Sequence, residues 1–190
     1  MSTSSLKIHV GMDVHKDTVM VAVLPESAAY KEAVDRLRGF RGLDTLGAMV
    51  LRSELGDLRR FGSPRQLIAY VGLVPSEHSS GDRENRGSIT KAGNSHCRHV
   101  LVQAAWSYRY PPRVGARLRE RQEGLPPEGV AHSWKAQHRL HKLFRRIEER
   151  RGSRIAVVAV ARELAGLVWA VPSGCRFRGP SSAGEGRMSH

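Results

Sequence analysis

The 190-residue sequence predicts a mixed α/β fold that is mostly α, with a short β-hairpin ahead of a helical body. Three observations predict it. Strand-like alternation is confined to residues 6–24. Apolar residues recur at helical spacings of three and four from about residue 30 to residue 170. The first two helices are joined by a glycine hairpin, Gly39-Phe40-Arg41-Gly42, as in a helix-hairpin-helix.

Taken in order, Leu6, Ile8 and Val10 share one face of a strand. A turn around His15-Lys16-Asp17 leads to Val19, Val21 and Val23 on a second. Tyr30–Arg38 reads as a helix with Ala33, Val34 and Leu37 on one side. A second helix runs from about Asp44 to Leu55, with Asp44 as cap and Leu46, Val50 and Leu51 as its stripe. Glycines in such a hairpin let backbone N–H groups approach a phosphate without reading sequence. Gly39, Arg41 and Gly42 are therefore candidate DNA contacts; a plain helical hairpin is the alternative.

Ser63-Pro64-Arg65-Gln66 carries a cap, a first-turn proline and the glutamine of a capping box, and Gly72 ends that helix. A polar Gly/Ser-rich stretch follows and reads as a loop. Asn94 or Ser95 caps the next helix, whose apolar face is Cys97, Val100, Leu101, Ala104 and Ala105. Arg98 and His99 lie off that face, where a phosphate backbone can be met. After Tyr110-Pro111-Pro112 a basic helix spans Arg113–Arg121, and Gly124–Gly129 is a loop. From about His132 to Arg151, Leu140, Leu143, Phe144 and Ile147 form a core stripe with cations elsewhere on the wheel. Ile155–Ala170 is apolar nearly all round and reads as a buried helix, with a strand as the alternative. The Ser/Gly/Pro/Arg-rich remainder reads as disordered. The segments are then 1–28, 29–110, 111–171 and a tail, 172–190.

A net charge of +13 favours a polyanionic partner, nucleic acid before a membrane surface, because binding releases condensed counterions. Two cysteines without a Cys-x-x-Cys spacing point to a reducing compartment and no zinc ribbon. There is no apolar run of the ~18 residues that a membrane span needs, and the start is not a secretory signal. A cytoplasmic protein is expected. His96/His99 and His138/His141 are spaced like metal ligands, but neither pair has a completing acid or cysteine, so surface or phosphate-facing roles are expected.

The chemistry concentrates between Gly72 and Trp106. This stretch holds Ser79-Ser80-Gly81, the acids Asp82 and Glu84, and the cations Arg83, Arg86, Lys91 and Arg98. A serine hydroxyl among such groups can attack a phosphodiester and conserve its bond energy in a phosphoserine link. Ser-Gly pairs are also ordinary turn residues. Asp13 follows a short apolar strand and is a candidate Mg²⁺ ligand, or a simple turn aspartate.

GMDVHKDTVMVAVL resembles the start of the resolvase-like, ribonuclease-H-like domain of insertion sequence 110 family transposases (the 116/110/902 group). The stretch from RLRGFRGLDTLG through GLVPSEHSSGDRENRGSITKAGNSHCRHVLVQAAW resembles that family's C-terminal transposase domain. The resemblance implies an enzyme of DNA transposition in a bacterial, nucleoid-associated setting. It implies a Mg²⁺ site of four acids, a serine nucleophile, a DNA partner, a homo-oligomer and, in some members, a guide RNA. Asp13 matches the first acid and Ser80 the nucleophile. No residue matches the other three acids, and Leu24 is followed within a few residues by the helical hairpin. The chain therefore reads as internally shortened. Two functions stay open: a transposase acting through Ser80 with Asp13 and Mg²⁺, or a catalytically dead DNA- or RNA-binding remnant.

Overall fold

The computed structural model describes residues 9–15, 18–24, 28–80, 83–90 and 92–171, and side-chain surroundings for 30–74, 89–90 and 92–171. The proposed tail, Lys91, and the Gly81-Asp82 pair lie outside the described residues.

Helices build the packed body. Two of them, α1 (Ala28–Arg38) and α2 (Thr45–Leu55), pack as a pair. The Tyr30 hydroxyl donates to the Met49 carbonyl at 3.3 Å and lies 2.9 Å from Ser53 Oγ, tying the two together. Asp44 caps α2, accepting from the Gly47 N–H at 2.8 Å. A 3-10 turn, Leu58–Arg60, leads to α3 (Pro64–Tyr70). Ser63 caps α3 at 3.4 Å, while the Gln66 carbonyl oxygen accepts from Gly62, one residue before the cap, at 2.7 Å.

Helix α4 (Ser95–Trp106) buries Cys97, Leu101, Ala104 and Ala105, the face its spacing predicts. A 3-10 turn, Ser107–Arg109, and the short α5 (Ala116–Gln122) follow. Helix α6 then runs over Pro127–Arg151. It starts inside the expected 124–129 loop, because Pro127 suits a first helical turn, where its missing N–H costs nothing. Gly152, at φ +82°, turns the chain straight into α7 (Ser153–Ala170).

The apolar run 155–170 is a helix, and it is the pillar of the fold. It contacts α3, α4 and α6. Val160, Ala161, Leu164 and Ala165 are fully buried. A helix apolar on most of its circumference has to be enclosed in this way. Each such Leu or Val contributes about 1.5–3 kcal/mol of burial. The Trp169 indole N–H donates to the Phe61 carbonyl at 2.8 Å, and Arg139 of α6 pairs with Glu163 of α7 at 2.5 Å. One core cluster draws on residues from Tyr30 to Val168, so the basic segment after residue 110 shares it.

The expected mixed α/β class is corrected to a mostly α fold. The buried cluster takes its residues from helices, 3-10 turns and their connections. Among the described residues, strand pairing is limited to two separate two-stranded ribbons. The first joins β1 (His9–His15) to β2 (Thr18–Leu24), antiparallel, with Asp13 opposite Met20. Two strands cannot bury a face on their own, and among the described residues no third strand joins them to make the layer that a resolvase-like domain would need. The second ribbon falls in the stretch expected to be a loop: β3 (Pro75–Ser80) pairs with β4 (Arg83–Ile89).

Candidate nucleic-acid site

The serine stretch rises from a fixed base. The α3 helix ends at Gly72, φ +70°, and α4 is preceded by Gly93, φ +114°. These two glycines let the outgoing and returning chains touch. A Cβ on Gly72 would lie 2.2 Å from the Ala92 carbonyl oxygen, and one on Gly93 would lie 2.1 Å from that of Tyr70. The Asn94 N–H donates to Tyr70 O at 3.0 Å, and the Thr90 N–H to Val74 O at 2.9 Å. Both positions require glycine, for the positive φ and for the missing side chain.

Side chains reinforce this clasp. The Arg98 guanidinium donates to the Val71 carbonyl at 3.0 Å, satisfying the end of α3. Asn94 caps α4 by accepting from the Cys97 N–H at 2.8 Å, and its amide donates to Glu54 Oε2 at 2.6 Å. The other oxygen of Glu54 lies 3.0 Å from His96 Nδ1. The hydrogen bond from His96, then that from Asn94, holds the Glu54 carboxyl below the usual range. The end of α2, the end of α3 and the start of α4 are thus joined under the ribbon.

Above that base, the register places Ser80 opposite Arg83, Ser79 opposite Glu84 and Glu77 opposite Arg86. Ser80 is the last residue of β3, beside the two-residue connection to β4. Gly81-Asp82 is a dipeptide that two-residue hairpins use. That signal was available in the sequence; the polar character of both flanking runs hid it, because neither shows apolar alternation. The Glu54–Asn94–His96 cluster had no sequence signal, since Glu54 and Asn94 lie 40 residues apart.

The other predicted phosphate contacts fare differently. Arg41 donates to the carbonyls of Pro111 at 2.7 Å and Tyr110 at 3.4 Å, and lies 3.5 Å from Gln137 Oε1. Burial lowers its pKa from the ordinary guanidinium value. A Cβ on Gly42 would meet the Ala104 carbonyl oxygen at 2.4 Å, and one on Gly39 would meet Leu125 at 2.6 Å. The Gly39 carbonyl accepts from Ser133 at 2.8 Å and Gln122 at 2.9 Å. The glycines of the α1–α2 turn therefore allow close packing against α4 and against the segment that leads into α6. Arg98 is likewise engaged at the clasp. Gly39, Arg41, Gly42 and Arg98 thus each carry a structural contact within the body.

The histidine pairs are separated in role. His96 faces Glu54, while His141 Nδ1 lies 3.0 Å from the Tyr108 carbonyl oxygen. His138 stacks edge-on against Trp134, with centroids 4.6 Å apart. Among the described residues no three His, Cys, Asp or Glu converge as a metal site. Asp13, with Met20 as its cross-strand partner, is the single candidate ligand from the sequence with a described backbone position. One such carboxylate among the described residues is short of the octahedral set of oxygen ligands that Mg²⁺ takes. Among the described residues no helix is long and apolar enough to cross a membrane.

Residues 34–119, which include the clasp and the whole Ser80 ribbon, match the family model described as Transposase IS116/IS110/IS902 family. The chain is 45% identical over 156 residues to a putative transposase, y4qE, of Sinorhizobium fredii, covering 82% of this chain and 40% of that protein. It is 31% identical over 144 residues to the transposase for insertion sequence element IS1111A of Coxiella burnetii, covering 76% of this chain and 34% of that protein. It is also 31% identical over 129 residues to the transposase for IS1533 of Leptospira borgpetersenii, covering 67% and 37% respectively. The chain thus spans 40% or less of the length of these three relatives. With a domain matched across the clasp and its ribbon, and relatives aligned along most of its length, this chain belongs to the IS116/IS110/IS902 transposase family.

Proposed function

We propose that this chain processes insertion-element DNA by strand cleavage and transfer, with Ser80 as nucleophile. The observation that carries the reading is the placement of Ser80 at the end of a strand, opposite Arg83, on a ribbon clamped at its base by Gly72 and Gly93. A clamped ribbon presents a hydroxyl to a polymer at a repeatable position, which is what a transfer reaction needs. The Ser80 oxygen attacks phosphorus and its proton passes to a base. The P–O bond to one DNA hydroxyl breaks, and that oxygen takes up a proton. The DNA remains esterified to Ser80, so a second hydroxyl can reverse the exchange and rejoin the strands. Arg83, Arg86 and Lys91 are the cations proposed to stabilise charge on the phosphoryl oxygens. Mg²⁺ would supply the same stabilisation. Asp13 is the one acid here that matches the family's four, so strand transfer by this chain unaided is expected to be weak. A guide RNA and a homo-oligomer belong to the same proposal, as partners supplying specificity and the second strand's site.

The test is a denaturing gel with labelled element-end DNA. A covalent adduct from the unmutated chain, lost in Ser80→Ala with DNA binding retained, supports the reading. The second reading, a catalytically dead DNA- or RNA-binding remnant, is favoured by the net charge of +13. It predicts salt-sensitive DNA binding and no adduct from the unmutated chain.

A further inference from the structure

The exposed side of α6 carries a group of residues that the packing leaves unused. Trp134 is 42% exposed, although an indole is costly to leave in water. It lies edge-on to His138, one helical turn further along, at 4.6 Å. Lys135, Lys142 and Arg146 are exposed and fall on the same side of the helix, away from buried Leu140 and Phe144. Among the described residues these three cations enter no ion pair, whereas Arg139 is tied to Glu163 and Arg145 to Glu148. A second ring, Tyr110, is 56% exposed and has the Arg109 guanidinium 5.1 Å from its centroid. Its segment is pinned along α6 by Arg113 N–H to Gln137 Oε1 at 3.1 Å and by His141 to Tyr108 O at 3.0 Å.

A solvated helix face explains the cations but not the rings beside them. Rings interleaved with unpaired cations match a strand whose bases are free to stack while its phosphates are neutralised. Duplex DNA hides its base faces and would use the cations alone.

We propose that this face of α6, with Trp134 and His138 at its centre and Tyr110 at its margin, binds single-stranded nucleic acid by stacking an unpaired base on the indole. The inference rests on the nucleic-acid-handling role proposed above and adds the form of the ligand. Stacking is indifferent to the sugar, so an unpaired DNA or RNA strand satisfies the same surface.

The experiment uses the full chain, with fluorescent oligo-dT, oligo-U and a DNA duplex of equal length as probes. Trp134→Ala is expected to weaken oligo-dT and oligo-U about 5- to 30-fold and to change duplex binding less than about twofold. Trp134→Phe, which keeps a ring, should restore most of the loss. The double variant Lys142→Gln, Arg146→Gln should reduce the salt dependence for all three probes by about one to two ion equivalents. Because Trp134 is exposed, circular dichroism should be unchanged in each variant. Equal loss for duplex and single strands, or no loss in Trp134→Ala, overturns the proposal. The readout involves no cleavage. A chain that forms the Ser80 adduct but shows no single-strand preference sinks only this inference, and the converse result sinks only the serine reading.

Discussion

The helical body and the serine ribbon are stabilised in opposite ways. The body holds itself by area: α7 is enclosed by α3, α4 and α6, and its shape follows from which residues avoid water. The ribbon is fixed from beneath, by two glycines, two backbone hydrogen bonds and the charged and polar groups of Arg98, Asn94, Glu54 and His96. Ile89, at its foot, is the one described ribbon side chain that packs against the core. The difference teaches that a reactive stretch can be rich in polar residues and still be accurately placed, provided its two ends are.

That contrast can be broken in the body first. Leu164→Ala is expected to cost about 2–5 kcal/mol in urea unfolding, because a fully buried site leaves a cavity. Cys97 gives an independent readout. Burial pushes its thiol up to about 12, so in a Cys175→Ser background a maleimide should label it only as the body opens. Labelling should accelerate in Leu164→Ala; an unchanged rate would mean that α7 does not seal the core around α4.

The clasp comes next. Gly93→Ala combines an unfavourable φ with a backbone overlap and should cost about 2–4 kcal/mol. Gly124→Ala, also at positive φ but facing open space, should cost about 1 kcal/mol. Trypsin cleavage at Arg83 and Arg86 should rise in Gly93→Ala well beyond what Gly124→Ala gives. Similar cleavage in the two variants would show that the glycine crossing does not hold the ribbon.

Smaller effects sharpen the picture. Ser80→Ala should alter unfolding by less than about 0.5 kcal/mol, since the change removes one hydroxyl and keeps the Cβ. A large loss would reveal a packing role and compromise the adduct test. The smallest effect is with pH. Glu54 has a folded pKa below its ordinary value of 4.5, so its contribution is complete above that value and is lost as pH falls through the folded one. Because the group is partly exposed, the change should be slight. Glu54→Gln should flatten the fall in Tm between about pH 5 and pH 3; an unaltered slope would remove Glu54 from the clasp.

Much of the body was legible in the sequence. Ser63-Pro64, Asp44 and Asn94 marked helix starts because capping is local chemistry, and the apolar face of α4 was correctly read from spacing. The ribbon was misread as a loop because its pairing is polar on polar, and periodicity detects only apolar alternation. The structural contacts of Arg41 and Arg98 were hidden for a different reason. Their carbonyl partners, on Pro111 and Val71, lie 70 and 27 residues away, and a backbone acceptor leaves no mark on composition. The mixed α/β expectation failed because a resemblance at residues 11–24 carried with it a sheet whose remaining strands do not join the ribbon here.

The single-residue turn at Gly152 has a consequence for synthesis. Until α7 has left the ribosome, the apolar trough that α3, α4 and α6 offer has nothing to fill it. Every nascent chain must therefore pass through a stage with its oily side bare, which invites chaperone capture or clumping. The core closes only when α7 emerges and docks between those three helices.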